Sequence, residues 1–232
     1  MNINVIFEDK NIIVVEKPTK LPCQSDKTND DNLLDILREK IKVENPKLKN
    51  VYLELVHRLD RPVGGALVLV KTKESNSNLS KQIQNRQLKK EYLTIVCGRF
   101  EENKGELKDY LKKLSTINMS KVVDPNTHGA KEAILAYQVL ETIETEEYGV
   151  LSLIKVNLKT GRHHQIRVQL ANANCPIWGD NKYNKSFVGN KGWTQIALWS
   201  YSLSFRHPIK NNYLTFNSTP TKEYPWDLFD LR

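Results

Sequence analysis

The chain has 232 residues, enough for one large domain or two small lobes sharing a core. Its 35 Lys+Arg outweigh 27 Asp+Glu, a net charge of +8 that favours phosphate-bearing partners over acidic or neutral ones. With 39% hydrophobic residues, a mean hydropathy of −0.53, no apolar run near the roughly 20 residues of a spanning helix and no basic-then-apolar start, the composition points away from a membrane protein and a secretory leader and toward the cytoplasm.

Taken in chain order, Ile3, Val5, Ile6 and Phe7 read as a first short strand, and Ile12-Ile13-Val14-Val15 as a second that ends at Lys17-Pro18. Asp30-Asp31-Asn32 can cap a helix whose apolar face is Leu33, Leu34, Ile36, Leu37 and Ile41. Leu53 to Val56 is a short strand, and Ala66-Leu67-Val68-Leu69-Val70 is a continuous apolar run of the kind that forms a buried strand. Leu79 to Leu88 reads as a polar helix, and Tyr92 to Val96 as a β-rich run. The charged stretch 101–131 suits hairpins and loops. Ala133 to Leu140, Val150 to Leu158 and Ile196 to Phe205 add strand signals, whereas Gln165 to Leu170 fits a strand or the start of a helix. Strands and helices do not alternate regularly, so a doubly wound fold is excluded in favour of α+β.

Three segments carry chemistry. In His57-Arg58-Leu59-Asp60-Arg61 a carboxylate stands among two guanidinium groups and an imidazole, just before Pro62-Val63-Gly64-Gly65. Nearby cations favour an ionised carboxylate, and the Pro and paired Gly argue for a turn that presents it, which makes Asp60 a candidate nucleophile toward a polyanion. The second segment is Thr160-Gly161-Arg162-His163-His164-Gln165-Ile166-Arg167-Val168. In an extended register Gln165 and Arg167 share one face, where the guanidinium can meet a carboxylate or a phosphate, or simply form a surface salt bridge. The adjacent histidines have no ligand spacing with His57 or His128, and Cys23, Cys97 and Cys175 form neither a disulfide framework nor a metal knuckle. The third segment, Lys89-Lys90-Glu91-Tyr92-Leu93, opens an apolar strand with a Tyr that either packs or stacks on a nucleobase.

In order and spacing, these three segments resemble the RluA-type pseudouridine synthases. The resemblance extends to Val14-Val15-Glu16-Lys17-Pro18, Ile177-Trp178-Gly179-Asp180-Asn181-Lys182-Tyr183, Ile196-Ala197-Leu198 and Leu203-Ser204-Phe205-Arg206-His207-Pro208, nearly the whole chain. It implies one catalytic domain over residues 1–232: α+β, with a mixed, mainly antiparallel sheet, a few flanking helices and a central catalytic cleft. It also implies isomerisation of uridine to pseudouridine in structured RNA, ribosomal or transfer, without metal or organic cofactor. Asp60 matches the catalytic carboxylate and Tyr92 the tyrosine that lies against the uracil. Arg167 matches the basic residue that pairs with the carboxylate. Arg58 matches a position that fills the gap left by a flipped nucleotide, and Arg61 and Arg162 are expected to contact RNA beside it. RNA is the expected partner, not DNA or a membrane, and a monomer is the simplest expectation.

The chain departs from the family pattern at Pro62-Val63-Gly64, where an Asp-Thr-Ser-like segment is usual, and at His163, Gln169, Trp199 and Arg206, where Thr, His, His and Pro are common. These departures bear on substrate choice. Many relatives carry an N-terminal S4 RNA-binding domain. The chain is expected to start at the catalytic domain and to draw RNA affinity from its own basic surface.

Overall fold

The computed structural model describes residues 1–25, 28, 30–189 and 194–231. These fall into two compact units: Met1–Lys90 with Ser200–Pro220, and Glu91–Trp199 with Thr221–Arg232. The fold is α+β, with antiparallel strand pairing in both units.

The first unit opens with the hairpin β1 (Asn4–Glu8) and β2 (Ile12–Lys17), whose turn is closed by Asp9 Oδ1 accepting from the backbone N–H of Asn11 and Ile12. Strand β2 pairs along β4 (Gly64–Val70), from Ile12 opposite Val70 to Lys17 opposite Gly65, and the short β3 (Glu54–Leu55) also pairs with β4. All seven residues of β4 are buried, which is why its sequence is continuously apolar with no alternation. Ala66, Val68 and Val70 face a core with Ile12, Val14, Leu79, Leu203 and Phe205.

The helix α1 (Leu33–Glu44) starts where Asn32 accepts from the Asp35 N–H, and it buries Leu33, Leu34, Leu37 and Ile41 along one face. The second helix, α2 (Lys73–Gln84), starts from a Thr72 cap well before the Leu79 start read from the sequence. Its first turn is Lys-Glu-Ser-Asn, and Leu79 is its one buried apolar residue, so hydrophobic periodicity scarcely registers there.

Two strands cross the boundary between the units in sequence, β5 (Lys89–Cys97) and β10 (Leu198–Arg206). Within the first unit, Ser200–Arg206 of β10 runs beside β4 and pairs with β11 (Tyr213–Asn217). Gly65 has φ +111°, and a Cβ there would lie 2.3 Å from the Ser200 carbonyl oxygen, so only glycine admits this approach. Gly64 and Gly65 therefore belong to a strand. The turn expected of the Pro-Gly segment closes earlier, with Val63 N–H donating to Asp60 O at 2.9 Å.

In the second unit β5 pairs with β9 (Gly149–Leu158), β9 with β8 (Lys131–Thr145), β8 with β6 (Lys104–Leu114), and β6 with β7 (Met119–Val122). The helix α3 (Gln165–Asn172) lies against β6 and β7, where Val168 packs on Leu111 and Ala133.

Candidate active site

In the first unit, two buried side chains fix the backbone on either side of Asp60. Cys23 Sγ donates to Leu59 O at 3.2 Å and accepts from Leu59 N–H at 3.4 Å. Lys17, fully buried, donates from Nζ to Leu21 O (2.7 Å), Pro18 O (2.8 Å) and Arg61 O (3.3 Å). Burial pushes the Lys17 ammonium down to about 8, against the opposing pull of Cys23 and Asp60. With the Asp60–Val63 turn, these bonds hold a half-buried carboxylate on a backbone tied at both neighbours.

The cations expected around Asp60 divide into three kinds. Arg58 is exposed. Arg61 is engaged by three residues earlier in the chain: Nε donates to Lys20 O, one terminal nitrogen to Thr28 Oγ1, and the other pairs with Asp30. His57 is not a cation, contrary to the sequence reading. Burial, aided by the charge of Lys90, pushes its imidazole down to about 3, and its Nδ1 is buried without a hydrogen bond.

In the second unit, Tyr92 lies on β5 opposite Val156 and is 5% exposed. Arg162 is exposed and donates from Nε to Glu132 O. The extended register read for Gln165–Val168 is replaced by the helix α3. Gln165 drives this locally: its Oε1 accepts from Arg162 N–H and Thr160 Oγ1 and its Nε2 donates to Ile134 O, folding the chain back at the helix start. Every residue from Gln165 to Leu170 is buried, and most of their polar side-chain atoms are matched, Gln169 Oε1 being the exception. Gln169 Nε2, for example, donates to Asp109 Oδ2 at 2.8 Å.

Arg167, 3% exposed, is gripped side-on by Asp180, with Nε to Oδ2 at 2.8 Å and a terminal nitrogen to Oδ1 at 2.6 Å. Asp180 is fully buried, and its Oδ1 also accepts from the N–H of Lys182 (2.9 Å) and Tyr183 (3.3 Å). The turn that delivers it depends on Gly179, at φ +77°, where a Cβ would meet Gln195 O at 2.4 Å. His164 caps α3 in the left-handed region at φ 54°. Burial first, then the charge of Arg167, pushes its imidazole down to about 2, so it is neutral. The His163 and His164 rings stack at 3.8 Å, and among the described residues no three His, Cys, Asp or Glu side chains are grouped to hold a metal ion.

Residues 11–172 match the family model for RNA pseudouridylate synthase. The chain belongs to this family. As a pseudouridylate synthase family member it is 28% identical to the ribosomal large subunit pseudouridine synthase C of Buchnera aphidicola from Acyrthosiphon pisum, covering 90% of this chain and 64% of that protein. It is 30% identical to the tRNA pseudouridine synthase C of Haemophilus ducreyi over 90% of this chain and 87% of that one. Among solved structures, human RNA pseudouridylate synthase domain containing 4 shares the fold with a TM-score of 0.75 and 22% identity, over 94% of this chain and 89% of that one.

Lys17, Cys23, Asp180 and Tyr183 were not assigned roles from the sequence. The signal for three of them was present, because Lys17, Asp180 and Tyr183 stand inside stretches that carry the family resemblance. What one sequence lacks is the pairing that gives each its role.

Proposed function

We propose that this family member isomerises uridine to pseudouridine in RNA. In that reaction the bond from C1′ to N1 breaks, the uracil turns, C5 joins C1′, C5 gives up its hydrogen as a proton, and N1 takes one up. Asp60 is assigned as the catalytic carboxylate, and the observation that carries the assignment is its setting. Lys17 and Cys23 tie the backbone of both neighbours, so the carboxylate is presented without the entropy cost of ordering a free loop. Arg167 is assigned as the active-site guanidinium and Tyr92 as the ring that meets the uracil. Arg58, Arg61 and Arg162 supply positive charge for the RNA backbone.

Further support comes from the charge distribution. Along β6 and β7 and at the start of β8, Lys104, Lys108, Lys113, Lys121 and Lys131 are all exposed, a run suited to phosphates. Relatives named for ribosomal and for transfer RNA leave both as substrate classes. We place the chain in the cytoplasm, acting as a monomer in which both units form one catalytic domain.

The test is tritium release from RNA carrying [5-³H]uridine, since isomerisation frees that hydrogen. Wild-type protein should release it and Asp60→Asn should not, while RNA binding persists. Release by Asp60→Asn at the wild-type rate would overturn the assignment.

A further inference from the structure

The seat of Arg167 has a second wall besides Asp180. The Arg167 guanidinium carbon lies 5.3 Å from the centre of the Tyr183 ring, within the range of a cation–π contact. The same ring packs in the apolar cluster of Leu111, Ala133, Val168 and Val122, so it touches α3 and the β6–β7 hairpin at once. Its hydroxyl continues the link. Tyr183 Oη accepts from the Ser120 N–H at 2.7 Å and lies 2.8 Å from His164 Nδ1. Which of the two donates in the second contact is set by the His164 tautomer, and either way the hydroxyl bridges the Ser120 N–H and His164 Nδ1.

The hairpin end is fastened to the same place from other directions. Ser120 Oγ donates to His163 O at 2.8 Å and sits 2.9 Å from His163 Nδ1. Asn118, at φ 48°, meets His163 Nε2 through Oδ1 at 3.1 Å and accepts from Lys182 Nζ through its carbonyl at 2.9 Å. Lys182 and Tyr183 directly follow the turn that carries Asp180. The hairpin therefore closes onto the loop that holds the carboxylate, the ring and the hydroxyl.

We propose that Tyr183 is a positioning residue for Arg167, fixing the guanidinium by tying its seat to the β6–β7 hairpin through the Ser120 N–H. Asp180 supplies the neutralising charge; Tyr183 sets the angle at which the guanidinium plane stands and makes it depend on the hairpin. This rests on the assignment of Arg167 to the active site.

The experiment compares Tyr183→Phe, which keeps the ring and removes the hydroxyl, with wild type in the full chain. Two readouts are used: steady-state tritium release and the ¹⁵N–¹H signal of the Arg167 Nε–H, assigned with Arg167→Lys. Tyr183→Phe should lower kcat by about tenfold to a hundredfold, as expected of a slightly misplaced group, with KM within about twofold, and should shift or broaden the Arg167 signal. An unmoved Arg167 signal overturns the proposal, whether kcat falls or not, because a merely structural tyrosine would act through the folded fraction alone. Should Tyr183→Phe not fold, Ser120→Pro, which removes the N–H donated to Tyr183 Oη on the outer side of β7, must move the same signal, and an unmoved one overturns the proposal. Arg167→Ala separates the two levels. Wild-type turnover there defeats the site assignment, whereas an inactive Arg167→Ala beside an unmoved signal in Tyr183→Phe defeats the positioning role alone.

Discussion

Asp180 and Arg167 form a side-on, two-bond ion pair with side-chain exposures of 0% and 4%. At such burial neither charge is hydrated, so each depends on the other and on the backbone N–H groups of Lys182 and Tyr183. Removing one partner leaves an uncompensated buried charge. Asp180→Ala should destabilise the protein by about 3–5 kcal/mol, read from urea unfolding. Asp180→Asn keeps the shape and one acceptor and should lose less. A loss below about 1 kcal/mol for Asp180→Ala, the range of an exposed ion pair, would mean that water reaches the site.

Lys17 makes a prediction with a pH sign. Its folded-state value of about 8 lies below the ordinary 10.5, so between those pH values the unfolded chain holds a proton that the folded chain has released. Stability attributable to Lys17 therefore rises as pH goes from about 8 to 10.5, by on the order of 3 kcal/mol in all. Lys17→Met removes that rise, and it leaves three backbone carbonyls without their donor, including that of Arg61 beside Asp60. Denaturant melts across this window should be flatter in the variant, and tritium release should fall. A variant with the wild-type pH slope would show that Lys17 is not the titrating group.

Much of the fold was legible because burial and periodicity agree. The apolar run of β4 is buried on both faces, and Asn32 caps α1 as its position suggests. Helix α2 was misplaced because Ser, Asn and Lys fill its first turns, so its start is set by a Thr72 cap with no apolar stripe behind it. At α3 the sequence fits two periods, and the helix is chosen by Gln165 folding back onto Thr160, Arg162 and Ile134. Asp60 and Arg167 could each be singled out by residue type and spacing. Asp180 could not, because its role is a contact thirteen residues from its partner, made by a turn that only Gly179 permits. The charge state of His57 was likewise hidden: an imidazole beside arginines reads as a cation until burial is known.

His164 gives the same pH sign as Lys17, in the acid range. Its folded value of about 2 lies below the ordinary 6.5, so in between the unfolded chain takes up a proton and the folded chain does not. Stability thus falls as pH drops from about 6.5 toward 2, by up to about 1.4 kcal/mol per pH unit for this one group. His164→Asn tolerates the left-handed backbone at φ 54° and does not titrate, so its stability should fall less steeply through this range. Parallel slopes for the two proteins, measured by denaturant melts from pH 7 to pH 4, would contradict a neutral buried imidazole.

Arg58 and Arg61 bracket the same carboxylate and should behave differently toward RNA. Arg58 is exposed and makes no hydrogen bond or ion pair among the described residues, so its guanidinium is available to a phosphate. Arg61 already pairs with Asp30 and donates to Lys20 and Thr28. Arg58→Ala should weaken RNA binding and reduce the slope of log affinity against log salt by about 1, with unfolding free energy changed by less than about 0.5 kcal/mol. Arg61→Ala should change that slope less, because the charge it removes is already neutralised by Asp30, and it should cost stability by releasing Lys20, Thr28 and Asp30. Filter binding at several salt concentrations, beside urea melts of both variants, separates the two arginines. Equal salt slopes with equal stabilities would mean that the Asp30 pair opens when RNA arrives and that both guanidinium groups reach phosphate.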